Sequence, residues 1–277
     1  MVQIKLIKSG TWMQNINRFS GFAEVYTSYR PIVPRAVIAH ILLYLDRIPK
    51  VVVDIGCGPG ISTFPWSKYA KQVIGIEPNQ DMLNQASVNL QRNKKINNVS
   101  FQFGYSHRTG LKSGSVDIVT CSQSFHWMNP KSTLKEIARI LKKGGIFATI
   151  DYDWPPSIDW IVEQEFRQFS KRVNQLHLRH TGEEREGSRW SKDQHLANIR
   201  SSNHFRFSKE IVSHHETSMN AEQFIGLVLS LGSVNRFVKE CPQEIAPDFK
   251  RFKKMVMHRI QGKQKAIMSY RIRLGIK

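Results

Sequence analysis

The chain has 277 residues, of which 40% are hydrophobic and 10% aromatic, as in an ordinary soluble globular protein. This length favours one α/β domain with an insertion over two separate domains. We expect a cytoplasmic protein without a membrane span, because Lys5 and Lys8 interrupt the early apolar stretch and the longest apolar run, residues 37–45, is too short to cross a bilayer. Three widely spaced cysteines argue against disulfides and structural zinc.

The net charge of +19 favours nucleic acid, anionic membranes or acidic substrates as partners. Its distribution is uneven, because no acidic residue follows Asp248, whereas ten lysines and arginines do. This basic stretch is either a solvated face or a polyanion-binding surface.

Two helices are predicted before the first strand, over residues 17–29 and 34–45. In the second, apolar residues recur at the three- and four-residue spacing of one helix face.

Residues 51–63 read as a buried strand, Val51–Ile55, that runs into a glycine-rich loop and then a helix over 63–69. Glycines at 56, 58 and 60 permit a tight turn and let a ligand approach the backbone. A dinucleotide fingerprint needs glycine where this chain has Ile61, so a pyrophosphate-binding loop is not indicated.

A second strand over 72–77 ends in Glu77, about 20 positions after the first loop glycine. An acid at this place can accept hydrogen bonds from both hydroxyls of a ribose. Alternatively, Glu77 caps the helix predicted over 81–90. We favour the ribose interpretation, since loop and acid occur at the right separation.

Residues 51–63 resemble motif I of class I S-adenosylmethionine-dependent methyltransferases, and most closely the small-molecule group of ubiquinone/menaquinone-biosynthesis and trans-aconitate-type enzymes. The resemblance implies an α/β fold with a Rossmann-like, seven-stranded, doubly wound sheet. Its last strand would be antiparallel between strands 5 and 6, and a helical cap would follow strand 5. It also implies that Asp54 orients the loop or the cofactor's amino group.

The segment Tyr26-x-x-x-Arg30-Pro31 resembles the Y-x-x-x-R-P element that covers the cofactor in many of these enzymes. This places Tyr26 and Arg30 near the methionine tail, where a guanidinium pairs well with a carboxylate. The alternative is a surface arginine and a core tyrosine.

After a third strand over 98–103, the family has an acid that contacts adenine, but this chain has Gly104-Tyr105-Ser106-His107. Because this acid is missing, the family's acidic adenine contact cannot be assigned to a residue of this chain. Tyr105 and Ser106 remain candidates for adenine contact.

Residues 113–127 resemble the motif IV strand, which would deliver Gln123, Phe125, His126 and Trp127 to the cofactor–substrate junction. His126 is either a general base or a packing and cofactor-contacting residue.

The remaining elements are a helix over 129–141, strand 5 over 146–152, a helix over 158–178, a strand over 204–216, helices over 221–231 and 247–258, and a last strand over 266–276. Aromatic residues of the cap, among them Trp154 and Trp160, either line an acceptor pocket or pack the cap. No metal is expected, because His214 and His215 point to opposite faces of a strand.

We therefore predict a single methyltransferase domain with a lid (1–49), a cofactor-binding core (50–152), a cap (153–203) and a C-terminal part of the sheet (204–277). It would use S-adenosyl-L-methionine to methylate a small-molecule acceptor; the alternatives are a nucleic-acid methyltransferase and a non-catalytic cofactor-binding protein. The acceptor and the oligomeric state cannot be derived from this sequence. The predicted cofactor-binding residues are Tyr26, Arg30, Asp54, Gly56, Cys57, Gly58, Gly60, Glu77, Pro78, Met82, Tyr105, Ser106, Gln123 and Phe125; substrate contacts are Trp127, Trp154 and Trp160, and His126 is the candidate catalytic residue.

Overall fold

A computed structural model describes residues 16, 20–21, 23–182 and 189–277 of the chain. Its centre is a seven-stranded sheet with the strand order β3-β2-β1-β4-β5-β7-β6. The strands are β1 (Val51–Ile55), β2 (Gln72–Glu77), β3 (Val99–Phe103), β4 (Val116–Ser122), β5 (Leu141–Tyr152), β6 (Phe207–Met219) and β7 (Gln264–Ile276).

Helices cover both faces and one end of this sheet. They are α1 (Ala23–Tyr29), α2 (Arg35–Leu42), α3 (Gln80–Arg92), α4 (Pro130–Ile140), α5 (Trp160–Thr181), α6 (His195–Ser201), α7 (Ala221–Leu229), α8 (Gly232–Glu240) and α9 (Pro242–Arg259). Short 3₁₀ turns occur at Phe64–Lys68, Phe125–Trp127 and Lys192–Gln194.

The pairing of the strands confirms the predicted fold class. Strands β1 to β5 are parallel, whereas β7 runs antiparallel to both β5 and β6 and lies between them. Val52 belongs to the apolar cluster on one face of the sheet and Val53 to the cluster on the other. Burial on both faces explains why this strand is an unbroken apolar run rather than an alternating one.

Several local predictions differ from the structure. The helix predicted over 63–69 is only a 3₁₀ turn, and Ser62 and Thr63 before it donate hydrogen bonds to Asp54. Helix α8 was not predicted, and α9 begins at Pro242, ahead of the predicted start at 247. Of the helix predicted over 17–29, residues 17–19 and 22 lie outside the described residues.

A separate helical layer is built from two stretches of chain. Helices α5, α7, α8 and α9 share an apolar core that includes Phe169, Phe224, Phe237 and Phe252. The predicted cap over 153–203 supplies only α5 to this layer, because α6 packs on the sheet, where Ile199 joins the core cluster of β1 and β4. Apolar periodicity marks a helix face without showing which layer covers it. The four-part division of the chain stays a prediction.

The fold brings the carboxyl ends of β1, β2 and β4 to one edge, next to this helical layer. The glycine loop, Glu77 and Gln123 all lie there, as expected for an open α/β sheet. Among the described helices, none has both the length and the apolar composition needed to cross a bilayer.

Candidate active site

The glycine loop after β1 has a conformation that favours glycine at three positions. Gly56, Gly58 and Gly60 have φ values of 68°, 54° and 87°, in the left-handed region. A Cβ at position 56 would lie 2.7 Å from the Cβ of Ser124, whereas one at position 58 would meet nothing within 4 Å. Close packing and a left-handed φ therefore both favour glycine at position 56, whereas at position 58 only the φ favours it.

Asp54, buried in β1, holds the loop together from inside. Its carboxylate accepts hydrogen bonds from the hydroxyls of Ser62, Thr63 and Thr120 at 2.6, 2.8 and 2.9 Å. Burial raises the pKa of Asp54, and these three hydroxyls oppose the rise. Asp54 is not among the described residues that line a cavity, so the geometry supports loop orientation.

Glu77 ends β2 and faces the loop. One carboxylate oxygen accepts from the backbone N–H of Gly58 and the other from that of Asn79, each at 2.9 Å. Burial raises its pKa from the ordinary 4.5 to about 7, although the two backbone donors oppose the rise. Each oxygen keeps a second lone pair with which to accept a hydrogen bond from a ligand.

A cavity of about 450 Å³ lies between the loop, Glu77 and the segment after β4. Ten predicted residues line it: Tyr26, Gly56, Gly58, Glu77, Pro78, Met82, Tyr105, Ser106, Gln123 and Trp127. We call this space the first cavity. Its wall also contains residues that sequence reasoning missed: Ile16, Ile55, His107, Ser122, Ser124, Met128, Asn129, Ser132 and Trp190.

Besides Asp54, four predicted cofactor-binding residues lie outside the first cavity. Cys57 and Arg30 line a small space of about 40 Å³ beside the loop. Gly60 packs against Phe101, and Phe125 is 1% exposed and packs against Phe147 and His195.

A second cavity, of about 440 Å³, lies beneath the helical layer. It shares Tyr26, Gln123 and Trp127 with the first, so the two spaces meet at these side chains. Trp154 and His126 also line it. Trp160 lines neither cavity and is 71% exposed, because it begins α5 on the outer surface.

His126 is buried beside Trp127, with the ring centres 4.7 Å apart. Burial, reinforced by the charge of Lys192, lowers its pKa well below the ordinary 6.5. The imidazole is therefore neutral near pH 7. Its Nδ1 has no hydrogen-bond partner among the residues that the structure describes.

Gln123 occupies the junction in an unusual backbone conformation, with φ of 53°. Such strain in a residue other than glycine persists only where the surroundings enforce it. Here Lys192 donates to the Gln123 side-chain oxygen at 2.6 Å and pairs with Asp151 at 3.0 Å. Burial favours a raised pKa for Asp151, but Lys192 and His195 hold it well below the ordinary range.

Arg30 lies between the small space and the second cavity. One guanidinium nitrogen donates to the hydroxyl of Tyr152 and another to the carbonyl of Ser230 at 2.9 Å. The group also stacks over Tyr26, 4.8 Å from the ring centre. Tyr26 is more than a packing residue of the core, because its side chain lines all three spaces.

The described residues also bring together His180, Cys241 and Glu244, whose ligand atoms lie within 4.8 Å of one another. Sequence reasoning, which considered the spacing of the cysteines and the pair His214 and His215, missed this group. His180 and Glu244 already form an ion pair at 2.8 Å. His214 contacts Ser269 instead.

Comparison with known proteins identifies the segment that carries the site. A family model described as "Methyltransferase domain" matches residues 53–149, from β1 to the middle of β5. Residues 53–149 are thus similar to a methyltransferase domain. The resemblance read from motif I and motif IV is thereby confirmed.

The methyltransferase domain has relatives in fungi. A probable S-adenosylmethionine-dependent methyltransferase of Saccharomyces cerevisiae is 30% identical over 136 residues, which are 49% of this chain and 47% of that protein. An uncharacterised methyltransferase of Schizosaccharomyces pombe is 33% identical over 120 residues, 40% of this chain and 43% of that protein. The chain spans a little less than half the length of these curated relatives.

The fold of the chain also has solved counterparts. The structure of YcgJ from Bacillus subtilis superposes with a TM-score of 0.53 at 18% identity, covering 87% of this chain and 97% of YcgJ. At this level of identity, the likeness concerns the fold.

The cavity residues that sequence reasoning missed differ in how readily the sequence could have indicated them. Ser122 and Ser124 lie within the motif IV segment next to predicted residues, and a slightly wider window would have included Met128 and Asn129. Trp190 carries no such signal, because it lies more than sixty positions further along the chain; its N–H donates to the carbonyl of His126 at 2.8 Å.

Proposed function

We propose that the chain is an S-adenosylmethionine-dependent methyltransferase that acts on a small-molecule acceptor. The observation that carries this proposal is the meeting of two cavities at Tyr26, Gln123 and Trp127. One cavity is bordered by the glycine loop and Glu77, and the other by the helical layer. This arrangement suits a cofactor and an acceptor that must exchange a group across a short distance.

The first cavity fits an adenosine cofactor without phosphates. No lysine or arginine is among the described residues that line it, although cations are the usual partners of phosphate groups. Glu77 instead offers carboxylate oxygens, which suit a ribose diol. Its negative charge, when ionised, also suits the positive sulfonium of this cofactor. Met82, Tyr105 and Ser106 are our candidates for contact with the adenine.

The cofactor, when bound, supplies a methyl group on a positively charged sulfur. The chain's own contribution is to align the acceptor with that methyl and to exclude water, since in-line displacement depends mainly on proximity and orientation. Tyr26, Gln123 and Trp127 would define the passage between the cavities. Neutral His126 can accept a hydrogen bond or a proton, although its low pKa makes it a weak base.

Calorimetric titration with S-adenosylmethionine and S-adenosylhomocysteine tests the proposal. We expect saturable binding, which Glu77→Ala weakens by about tenfold or more, because the ribose loses a charge-assisted hydrogen bond. Glu222→Ala is the matched control, since Glu222 is an exposed helical acid outside both cavities. The absence of heat with both compounds would contradict the proposal.

A further inference from the structure

The second cavity has an unbalanced charge. Five cationic side chains line it, and no aspartate or glutamate is among its described lining residues; the cations are Arg30, Arg167, Lys171, Arg189 and Lys192. A cleft lined by charges of one sign concentrates ions of the opposite sign. The first cavity, in contrast, has an acid and neither lysine nor arginine in its described wall.

Helix α5 supplies the two cations of this cavity that are most available to bind an anion. Arg167, Ser170, Lys171 and Asn174 follow the three- and four-residue spacing of one helix face, and all four line the second cavity. Within the described part of the chain, Arg167 and Lys171 form no hydrogen bond or ion pair, and both are exposed. Lys192 differs from them, because Asp151 already balances its charge.

The start of helix α8 faces the same space. Leu231, Gly232 and Ser233 line the second cavity, and the N-cap position, Leu231, has no side-chain hydrogen bond to the helix. The first turn contains no acid, so its backbone N–H groups and partial positive charge remain available to an anion. In addition, the Ser233 hydroxyl oxygen is buried without a hydrogen-bond partner among the described residues.

The remaining wall is apolar and aromatic. Trp127, Trp154 and Phe166 line the second cavity, and the rings of Trp154 and Phe166 stack with their centres 5.8 Å apart. A ligand that fits this space therefore needs an apolar body as well as anionic groups.

We propose that the methyl acceptor is a small organic acid or phosphate ester that carries at least two negative charges on an apolar body. Arg167 and Lys171 bind one anionic group, and the start of α8 receives the other. The planar guanidinium of Arg167 matches the paired oxygens of a carboxylate or phosphate. This inference rests on the proposed function, since it assigns the acceptor to the second cavity.

The test uses probes of graded charge on the protein saturated with S-adenosylhomocysteine. Isophthalate carries two carboxylates, benzoate carries one, and isophthalamide is neutral; phenyl phosphate separates a phosphate ester from a carboxylic acid. We expect tryptophan fluorescence to report isophthalate binding at least about tenfold tighter than benzoate, with no binding of isophthalamide. Raising the salt concentration should weaken the binding of the dianion.

Paired variants locate the bound anion. Arg167→Gln with Lys171→Gln removes two cations four residues apart on α5, and we expect it to weaken isophthalate binding by about tenfold or more. Lys250→Gln with Lys254→Gln is the matched control, because these exposed lysines have the same spacing on α9 and line no described cavity. Circular dichroism and thermal melting verify that both double variants fold.

The outcomes separate the two proposals. If S-adenosylhomocysteine binds but isophthalamide binds as tightly as isophthalate, or neither dianion binds at millimolar concentration, the anionic acceptor is excluded and the proposed function stands. Equal loss of isophthalate binding in both folded double variants would also overturn this inference. If S-adenosylhomocysteine itself does not bind, the proposed function fails first.

Discussion

Replacing Glu77 by glutamine should change how the stability of the protein depends on pH. The pKa of this buried carboxyl rises from the ordinary 4.5 to about 7 on folding, chiefly because burial disfavours the charged form. Between these two values the folded state binds more protons than the unfolded state, so the free energy of unfolding falls as the pH rises. At about 1.4 kcal/mol for each pH unit, the group removes roughly 3 kcal/mol of stability over this range.

In the Glu77→Gln variant, position 77 no longer titrates. The variant instead loses an amount of stability that does not depend on pH. Its single amide oxygen can accept from only one of the two backbone donors, Gly58 and Asn79, that the carboxylate satisfies. Leaving one buried N–H without an acceptor costs about 1–3 kcal/mol. We therefore expect the variant to be less stable than the wild type below pH 5 and as stable, or more so, above pH 7.

Urea unfolding at a series of pH values checks this expectation. The difference in unfolding free energy between Glu77→Gln and the wild type should shift by roughly 3 kcal/mol in favour of the variant from acidic to neutral pH. Glu222→Gln, which neutralises an exposed acid, should show no such shift. A difference that stays constant with pH would refute the reasoning, because it would mean that Glu77 titrates alike in both states.

The same titration affects cofactor binding. Ionised Glu77 is the better acceptor for two ribose hydroxyls, so wild-type affinity for S-adenosylhomocysteine should rise by about tenfold between pH 6 and 8. The affinity of Glu77→Gln should be lower and should not follow this pH dependence. Calorimetry at both pH values measures it, and an equal rise in the variant would assign the effect to another group.

Three further variants test the construction of the site. Asp54→Asn should lower the free energy of unfolding by about 1–3 kcal/mol in urea, because an amide cannot serve all three hydroxyl donors. Gly56→Ala should destabilise the protein more than Gly114→Ala and should reduce S-adenosylhomocysteine affinity. Both glycines have left-handed φ values, but only at position 56 would the new Cβ meet a side-chain carbon at 2.7 Å. Similar melting temperatures of the two variants would contradict this. Trp160→Ala should leave methylation of an anionic acceptor unchanged, whereas Trp154→Ala should raise its KM, and the reverse order would remove the second cavity as the acceptor site.

Sequence reasoning was most successful where a physical requirement acts on neighbouring residues. The buried strand β1, the glycine loop and Glu77 each carry a local signature: apolar continuity, tolerance of left-handed φ, and an acid at a strand end. The family resemblance added the number of strands and the antiparallel last strand between strands 5 and 6, which the structure confirms.

The helical layer was harder to predict from the sequence, because its assembly depends on contacts between distant parts of the chain. Helix α5 packs with helices that begin sixty residues later, beyond a whole strand of the sheet. Amphipathic spacing in α5 could indicate an apolar face but not its partner. For the same reason, the aromatic residues of the predicted cap could not be separated: Trp154 lines the second cavity, and Trp160 faces outward.

The basic end of the chain carries most of the charge that stands out in the sequence, but the structure uses part of that charge internally. All four of its arginines form ion pairs with described acids; Arg271, for example, contacts Asp153 at 3.0 Å and Arg273 contacts Glu210 at 2.7 Å. The cations that we assign to the acceptor, Arg167 and Lys171, belong to α5, where acidic residues also occur and the local charge is unremarkable in sequence. What distinguishes them is that they line the second cavity together with a helix start and form no ion pair with a described acid, and that property exists only in three dimensions.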